Sequence, residues 1–170
     1  MSGIVTVIIP CKDVADYVVR ALDSLLPVQK DIERVVCVDN LSSDNTLEVI
    51  QQWRESNAEI ALDVLTESTP KAMAARFKGL EKVKTPLVHF LDADDEISVP
   101  GWQAQLNAYE NASADRRQNT IWVSGIVWHT LEGKRIEDPA YAGDPRIGLM
   151  RGEKGMTSSM VWPVGVLEKA

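Results

Sequence analysis

The densest chemistry in this sequence lies in two acidic clusters, each placed directly after an apolar run. Asp92-Ala93-Asp94-Asp95 follows Leu87–Leu91, and Asp39-Asn40-Leu41-Ser42-Ser43-Asp44 closes the run that begins at Arg34. Neighbouring carboxylates repel unless a cation sits among them. A spaced Asp-x-Asp of hard oxygen ligands suits Mg²⁺ or Mn²⁺, which keep some waters and bridge protein carboxylates to substrate phosphates. The plainer reading is a solvated acidic turn that caps the next helix, and the position of Asp92–Asp95 after a buried strand favours the metal. The chain as a whole is acidic, with a formal net charge of −7 over 170 residues. A general affinity for nucleic acid or an anionic membrane is therefore not expected. An anionic ligand would need a metal or a few local cations.

The elements that must position these clusters alternate. Ile4–Pro10 is a continuous β-branched run, the mark of a strand buried on both faces. Val14, Tyr17, Val18, Ala21, Leu22, Leu25 and Leu26 recur at helical spacing until Pro27, where a helix is expected to end. Arg34–Asp39 is a second buried strand. Thr46 or Asp44 then caps a helix with Leu47, Ile50 and Trp53 on its inner face. Ile60–Leu65 reads as a third strand, Lys71–Val83 as an Ala-rich helix, and Leu87–Leu91 as a fourth strand. Ser98-Val99-Pro100 opens another helix, with Pro100 at its first position and Leu106 and Tyr109 inward. This alternation predicts an α/β domain with a mostly parallel sheet covered on both sides. Beyond it, Thr120–Leu131 is β-rich, with a turn at Glu132-Gly133 leading back to Lys134–Ile136. Residues 138–155 read as a loop, Met156–Trp162 as a strand and Pro163–Ala170 as the start of a helix. Ligands of such sheets bind beyond the carboxyl ends of the strands, which selects three loops: Pro10–Asp13, Asp39–Asp44 and Asp92–Glu96.

In order and spacing, VTVIIPCKDVADYVVRALDSLL, RVVCVDNLSSDNTLEVI and AARFKGL…TPLVHFLDADD resemble the family 2 glycosyltransferases, whose domain is the GT-A fold. The resemblance runs from about Val5 to Trp102 and is weak afterward. It implies a single GT-A-type domain over 1–170, with 1–105 binding the nucleotide-sugar and 106–170 forming a partial acceptor side. It implies transfer of a sugar from a nucleoside diphosphate donor, UDP-type, to a hydroxyl acceptor with inversion. Pro10 and Cys11 would lie against the nucleoside, Asp39 would accept from the base, and Asn40 and Ser42 would shape that pocket. Asp13 and Ala93 complete the nucleotide-contacting set. Arg76 would reach toward the nucleotide, Asp92 would contact the ribose or a metal-bound water, and Asp94 would ligate Mn²⁺ or Mg²⁺. The acceptor would be a glycan, a lipid-linked sugar or a protein, and the setting cytoplasmic, at most peripheral on the inner face of the membrane.

Several positions depart from the family pattern. Lys12-Asp13 replaces a common Tyr-Asn, Leu41 a frequent Gly, and Phe77 an Asn; Lys71, Ala72 and Met73 stand where a Gly/Ser-rich entry is usual. Inverting members use a carboxylate as general base. The chain ends at VLEKA before the expected acidic pair, and neither Glu153 nor Glu168 is assigned that role. An end inside a helical pattern reads as a cut, and a cut domain is expected to self-associate through exposed apolar surface. Two other functions compete: a non-catalytic nucleotide-sugar-binding or interaction fragment, and a sugar nucleotidyltransferase, which would want a Gly-rich basic loop after the first strand.

Other signals exclude more than they assign. Hydrophobic residues are 45% and charged residues 25% of the chain, the balance of a folded globular protein. No apolar run approaches the roughly 20 residues of a membrane span. The N-terminus lacks the basic flank and cleavage site of a signal peptide. Cys11 and Cys37 read as buried fillers, His89 as a core or sheet-edge residue, and His129 as structural or exposed. Trp122, Trp128 and Trp162 fit a core or interface better than a sugar groove. Ser158-Ser159 lacks a nucleophile elbow, and no dinucleotide or P-loop motif occurs.

Overall fold

In the computed structural model, residues 3–123, 126–130, 133–137 and 160–167 are described. Four parallel strands form the centre: β1 (Val5–Cys11), β2 (Ile32–Asp39), β3 (Leu62–Thr66) and β4 (Leu87–Phe90). They belong to a six-stranded sheet of order β3-β2-β1-β4-β8-β5, in which β8 (Met160–Pro163) runs antiparallel to both its neighbours, β4 and β5 (Trp122–Val123). The sheet is thus mixed, as two-stranded additions at one edge allow. A separate hairpin joins β6 (Ile126–Thr130) to β7 (Gly133–Glu137).

Alternation along the strands feeds two cores. Val5, Val7, Ile9 and Cys11 of β1, with Val35 and Cys37 of β2, pack beneath α1 (Val18–Asp23), α2 (Thr46–Ser56) and α4 (Val99–Glu110). Ile8, Val36, Val38 and Val88 point the other way, toward Ala75 of α3 (Ala72–Leu80) and the short α6 (Val164–Leu167). Burial on both faces explains why these strands read as continuous apolar runs. Gly79 lets α3 lie close on β1, since a Cβ there would stand 2.5 Å from Ile8 Cγ2.

Local expectations fail where tertiary packing decides. Pro27 does not end the helical stretch; α1 stops at Asp23, and a 3₁₀ helix over Leu26–Asp31 carries Pro27 in its first turn, where its missing N–H is harmless. In α2 the buried residues are Thr46, Ile50 and Trp53, while Leu47 is exposed. Thr46 turns inward because its hydroxyl accepts from Val14 N–H at 2.9 Å and donates to Asp44 Oδ1. Pro100 follows Val99 and so takes the second position of α4, whose most buried side chain is Trp102. The residues before β5 form a helix absent from the sequence reading, α5 (Ala114–Asn119), capped by Ser113. His89 is buried with its ring edge-on to Trp102 at 5.4 Å, Trp122 is a core residue against Tyr109, and Trp162 is half-buried against Phe90. The expected loop over 138–155, Glu132, Glu153, the Ser158-Ser159 pair and Glu168 lie outside the described residues. So do the side chains of Trp128 and His129.

Candidate functional site

The carboxyl ends of β1, β2 and β4 converge, since Cys11 pairs with Asp39 in register and Leu91 N–H bonds Ile8 C=O at 3.0 Å. Beyond them opens a crevice of about 380 Å³, within the usual size of small-ligand pockets. Pro10, Cys11, Lys12 and Val14 contribute from β1 and its loop, and Asn40 from β2. Pro70, Lys71, Ala72 and Arg76 contribute from the start of α3, and Asp92, Ala93 and Asp94 from the end of β4.

Arg76, on the first turns of α3, turns toward β4 and bonds Asp92 Oδ1 at 2.5 Å. The side chains are only 14% and 26% exposed, so the pair is screened by little water. Asp94, two residues on, is exposed, and Asp95 N–H closes a turn on Asp92 C=O at 3.0 Å. Asp39 is 3% exposed; its Oδ2 accepts a long bond from Ser42 N–H at 3.4 Å, and its Oδ1 is buried with no hydrogen-bond partner. A buried, unmatched carboxylate oxygen beside a crevice is complementary to a donor N–H.

The loops around this point are laced together. Ser43 donates its N–H and its hydroxyl to Asp13 Oδ1 at 2.6 and 3.0 Å, and Asp13 N–H donates to Ser42 Oγ at 3.0 Å. Asp44 accepts from Ala15 N–H at 3.1 Å and from the N–H and hydroxyl of Thr46. The Ser43 N–H holds the Asp13 carboxyl below its ordinary range, and the Thr46 hydroxyl does the same for Asp44. Asn40 ties a third loop in: its Nδ2 donates to Glu67 C=O and Thr69 C=O at 2.8 and 2.7 Å. Asp13 and Leu41 take positive φ, 50° and 64°, and the surrounding bonds hold those conformations. Cys11 and Cys37 are free and buried; a hydrogen bond with Cys37 and burial push the Cys11 thiol up, which removes it as a nucleophile.

Pro10, Cys11, Asn40, Arg76, Asp92, Ala93 and Asp94 are thus brought to one crevice. Asp39 does not line it but lies buried beside two residues that do, Asn40 next in the chain and Cys11 paired with it across the strands. Asp13 and Ser42 do not line it: both take part in the clasp between the first two loops. Lys12, Val14, Pro70, Lys71 and Ala72 line the crevice without having been singled out; Lys12 and Lys71 were visible only as departures from a family pattern. Among the described residues no group of three or more His, Cys, Asp or Glu gathers into a metal cage. Asp92 has one oxygen engaged by Arg76, which leaves Asp94 as the freer carboxylate. Such a sparse hard-oxygen set fits Mg²⁺ or Mn²⁺, which take few protein ligands and complete their shell with water and phosphate.

A parallel α/β core with its crevice at the strand carboxyl ends defines a Rossmann-like domain of the GT-A class. The model of glycosyl transferase family 2 matches residues 6–146, and the chain belongs to that family. The putative teichuronic acid biosynthesis glycosyltransferase TuaG of Bacillus subtilis is 32% identical over 103 residues, 61% of this chain and 40% of TuaG. The crystal structure of S. aureus TarS 1-349 superposes with a TM-score of 0.69 at 18% identity, over 99% of this chain and 49% of that one. The mannosyltransferase PcManGT from Pyrobaculum calidifontis, in complex with GDP-Man and Mn²⁺, gives 0.60 at 24% identity, over 74% of this chain and 36% of its own. The chain spans less than half the length of these relatives. No described helix is long and apolar enough to cross a membrane.

Proposed function

We propose that residues 1–105 bind the donor of a glycosyltransferase that moves a sugar from a nucleoside diphosphate, UDP-type, to a hydroxyl acceptor with inversion. Residues 106–170 then belong to the acceptor side of the same domain. The observation that carries this reading is the crevice itself, lined by Asp92-Ala93-Asp94, with the unmatched buried acceptor of Asp39 beside its lining residues Cys11 and Asn40. Asp39 is suited to a base N–H, and a uracil N3–H meets that need. The Arg76 guanidinium holds Asp92 oriented while Asp94 faces solvent, so Asp94 is the direct ligand of Mn²⁺ or Mg²⁺. A bound ion there supplies Lewis-acid stabilisation for charge on the departing nucleoside diphosphate. TarS, crystallised with UDP-GlcNAc, and PcManGT, with GDP-Man and Mn²⁺, support the donor class and the metal. The acceptor is a glycan, lipid-linked sugar or protein on the cytoplasmic side, and no residue is assigned as its base.

Calorimetry tests the reading. UDP, GDP and CDP are titrated with and without Mn²⁺ into the native chain and into Asp94→Ala. Tightest binding by UDP, strengthened by Mn²⁺ only when Asp94 is present, is the expected result. Metal-strengthened binding that persists in Asp94→Ala overturns the site assignment.

A further inference from the structure

Besides Arg76, the crevice carries two ammonium groups that make no ion pair among the described residues. Lys12 comes from the loop after β1 and Lys71 from the residue that caps α3, and both are exposed. Neither takes part in an ion pair among the described residues, whereas Arg76 is held by Asp92. The neighbouring acids Asp13 and Glu67 direct their oxygens to other donors and make no ion pair with either lysine among the described residues. Asp13 accepts from Ser43, and Glu67 accepts from Thr69 N–H at 2.7 Å. Among the side chains that line the crevice, three cations, Lys12, Lys71 and Arg76, stand with two carboxylates, Asp92 and Asp94, and Arg76 and Asp92 pair with one another. The lining itself thus carries one more cation than carboxylate in a chain of net charge −7. Lysines from two loops lining one crevice repel unless an anion shares them.

We propose that Lys12 and Lys71 clamp the diphosphate of the donor from two sides, so that diphosphate binding is partly independent of metal. The proposal rests on the donor-site reading above. It also gives the two departures from the family pattern a common purpose, since each places a cation where the ligand's charge is concentrated. A nucleoside monophosphate presents too little charge to engage both, so the clamp discriminates by phosphate number.

The test is titration of UDP, UMP and inorganic pyrophosphate in EDTA and again with Mn²⁺. The chains compared are wild type, Lys12→Gln, Lys71→Gln, the double variant, and Lys30→Gln. Lys30 is an exposed lysine of the 3₁₀ helix, outside the crevice, and controls for net charge. Expected is UDP binding by wild type in EDTA that weakens with added salt. Each crevice substitution weakens it about tenfold, the scale of one charge-assisted hydrogen bond, with no effect of Lys30→Gln. UMP binding depends on the lysines much less. Equal UDP binding by the double variant and wild type in EDTA overturns the clamp, as does wild-type binding that appears only with Mn²⁺. Lysine-dependent pyrophosphate binding without any nucleotide binding upholds the clamp and sinks the donor reading. Nucleotide binding indifferent to both lysines does the reverse.

Discussion

Replacing Gly79 by alanine measures how closely the helix that carries Arg76 is seated on the sheet. A methyl at this position stands 2.5 Å from Ile8 Cγ2 and 3.2 Å from both Cδ1 and Cγ1. Ordinary carbon contacts fall at about 3.5–4.0 Å, so the first overlap is roughly 1 Å. Ile8 cannot yield cheaply, because it is fully buried and its branched Cβ restricts χ1. Two effects oppose each other. Alanine favours the helix over glycine by about 1 kcal/mol, while overpacking a full core costs about 1–3 kcal/mol and often more. An overlap of this size, against backbone-anchored atoms, puts the overpacking at the upper end. A net loss of about 1–2 kcal/mol is expected, a fall of about 0.5–1 M in the urea midpoint. Because Arg76 lies one turn before Gly79, lifting α3 also draws the guanidinium from Asp92, and UDP affinity falls with stability. Gly165→Ala is the control, since a Cβ there meets only Gln118 C=O at 3.7 Å, an ordinary contact. Its stability should stay within about 0.5 kcal/mol of wild type or rise. Urea unfolding followed by tryptophan fluorescence reads both variants. A Gly79→Ala chain as stable as wild type would refute the close seating of α3 on β1.

Two further substitutions separate support from contact. Asp13→Ala removes the acceptor for both Ser43 donors and should weaken UDP binding several-fold and speed exchange of the Ser43 amide. Asp13→Asn should recover part of the loss, because both donors use the single oxygen Oδ1 and asparagine tolerates a positive φ, but not the share that the carboxylate charge adds; an Asn variant equal to wild type would refute the contribution of the charge. Asp13 and Asp44 are depressed in the folded chain, so their contribution is complete above the ordinary carboxylate value and is lost as pH falls through the depressed folded values, below about pH 4. Ser43 protection in wild type should fade in that acid window and stay constant in Asp13→Asn, as read by amide exchange. Arg76→Ala leaves Asp92 without its guanidinium in a poorly hydrated place and should lower stability by about 1–3 kcal/mol. Asp92→Asn in the same chain should recover part of that loss in a denaturation double-mutant cycle; strict additivity would argue that the pair does not interact.

Local pattern alone determined the central strands, because a strand covered on both faces must be apolar nearly throughout, and Val5–Ile9, Val35–Val38 and Leu87–Phe90 are apolar except at Thr6 and His89. From those strands, the rule that ligands sit beyond their carboxyl ends located the three loops that do line or brace the crevice. Only the tertiary structure decided how each charged group in those loops is used. Asp13 and Ser43 are 30 residues apart and Arg76 and Asp92 are 16 apart, and neither pairing leaves a trace in periodicity or spacing. The same holds for Lys71 beside Lys12, and for Thr46 burying itself under a distant amide while Leu47 turns outward. Composition and alternation encode which faces avoid water. Hydrogen bonds and ion pairs depend on which atoms the finished fold brings within 3 Å or so, and that distance is set by the whole chain.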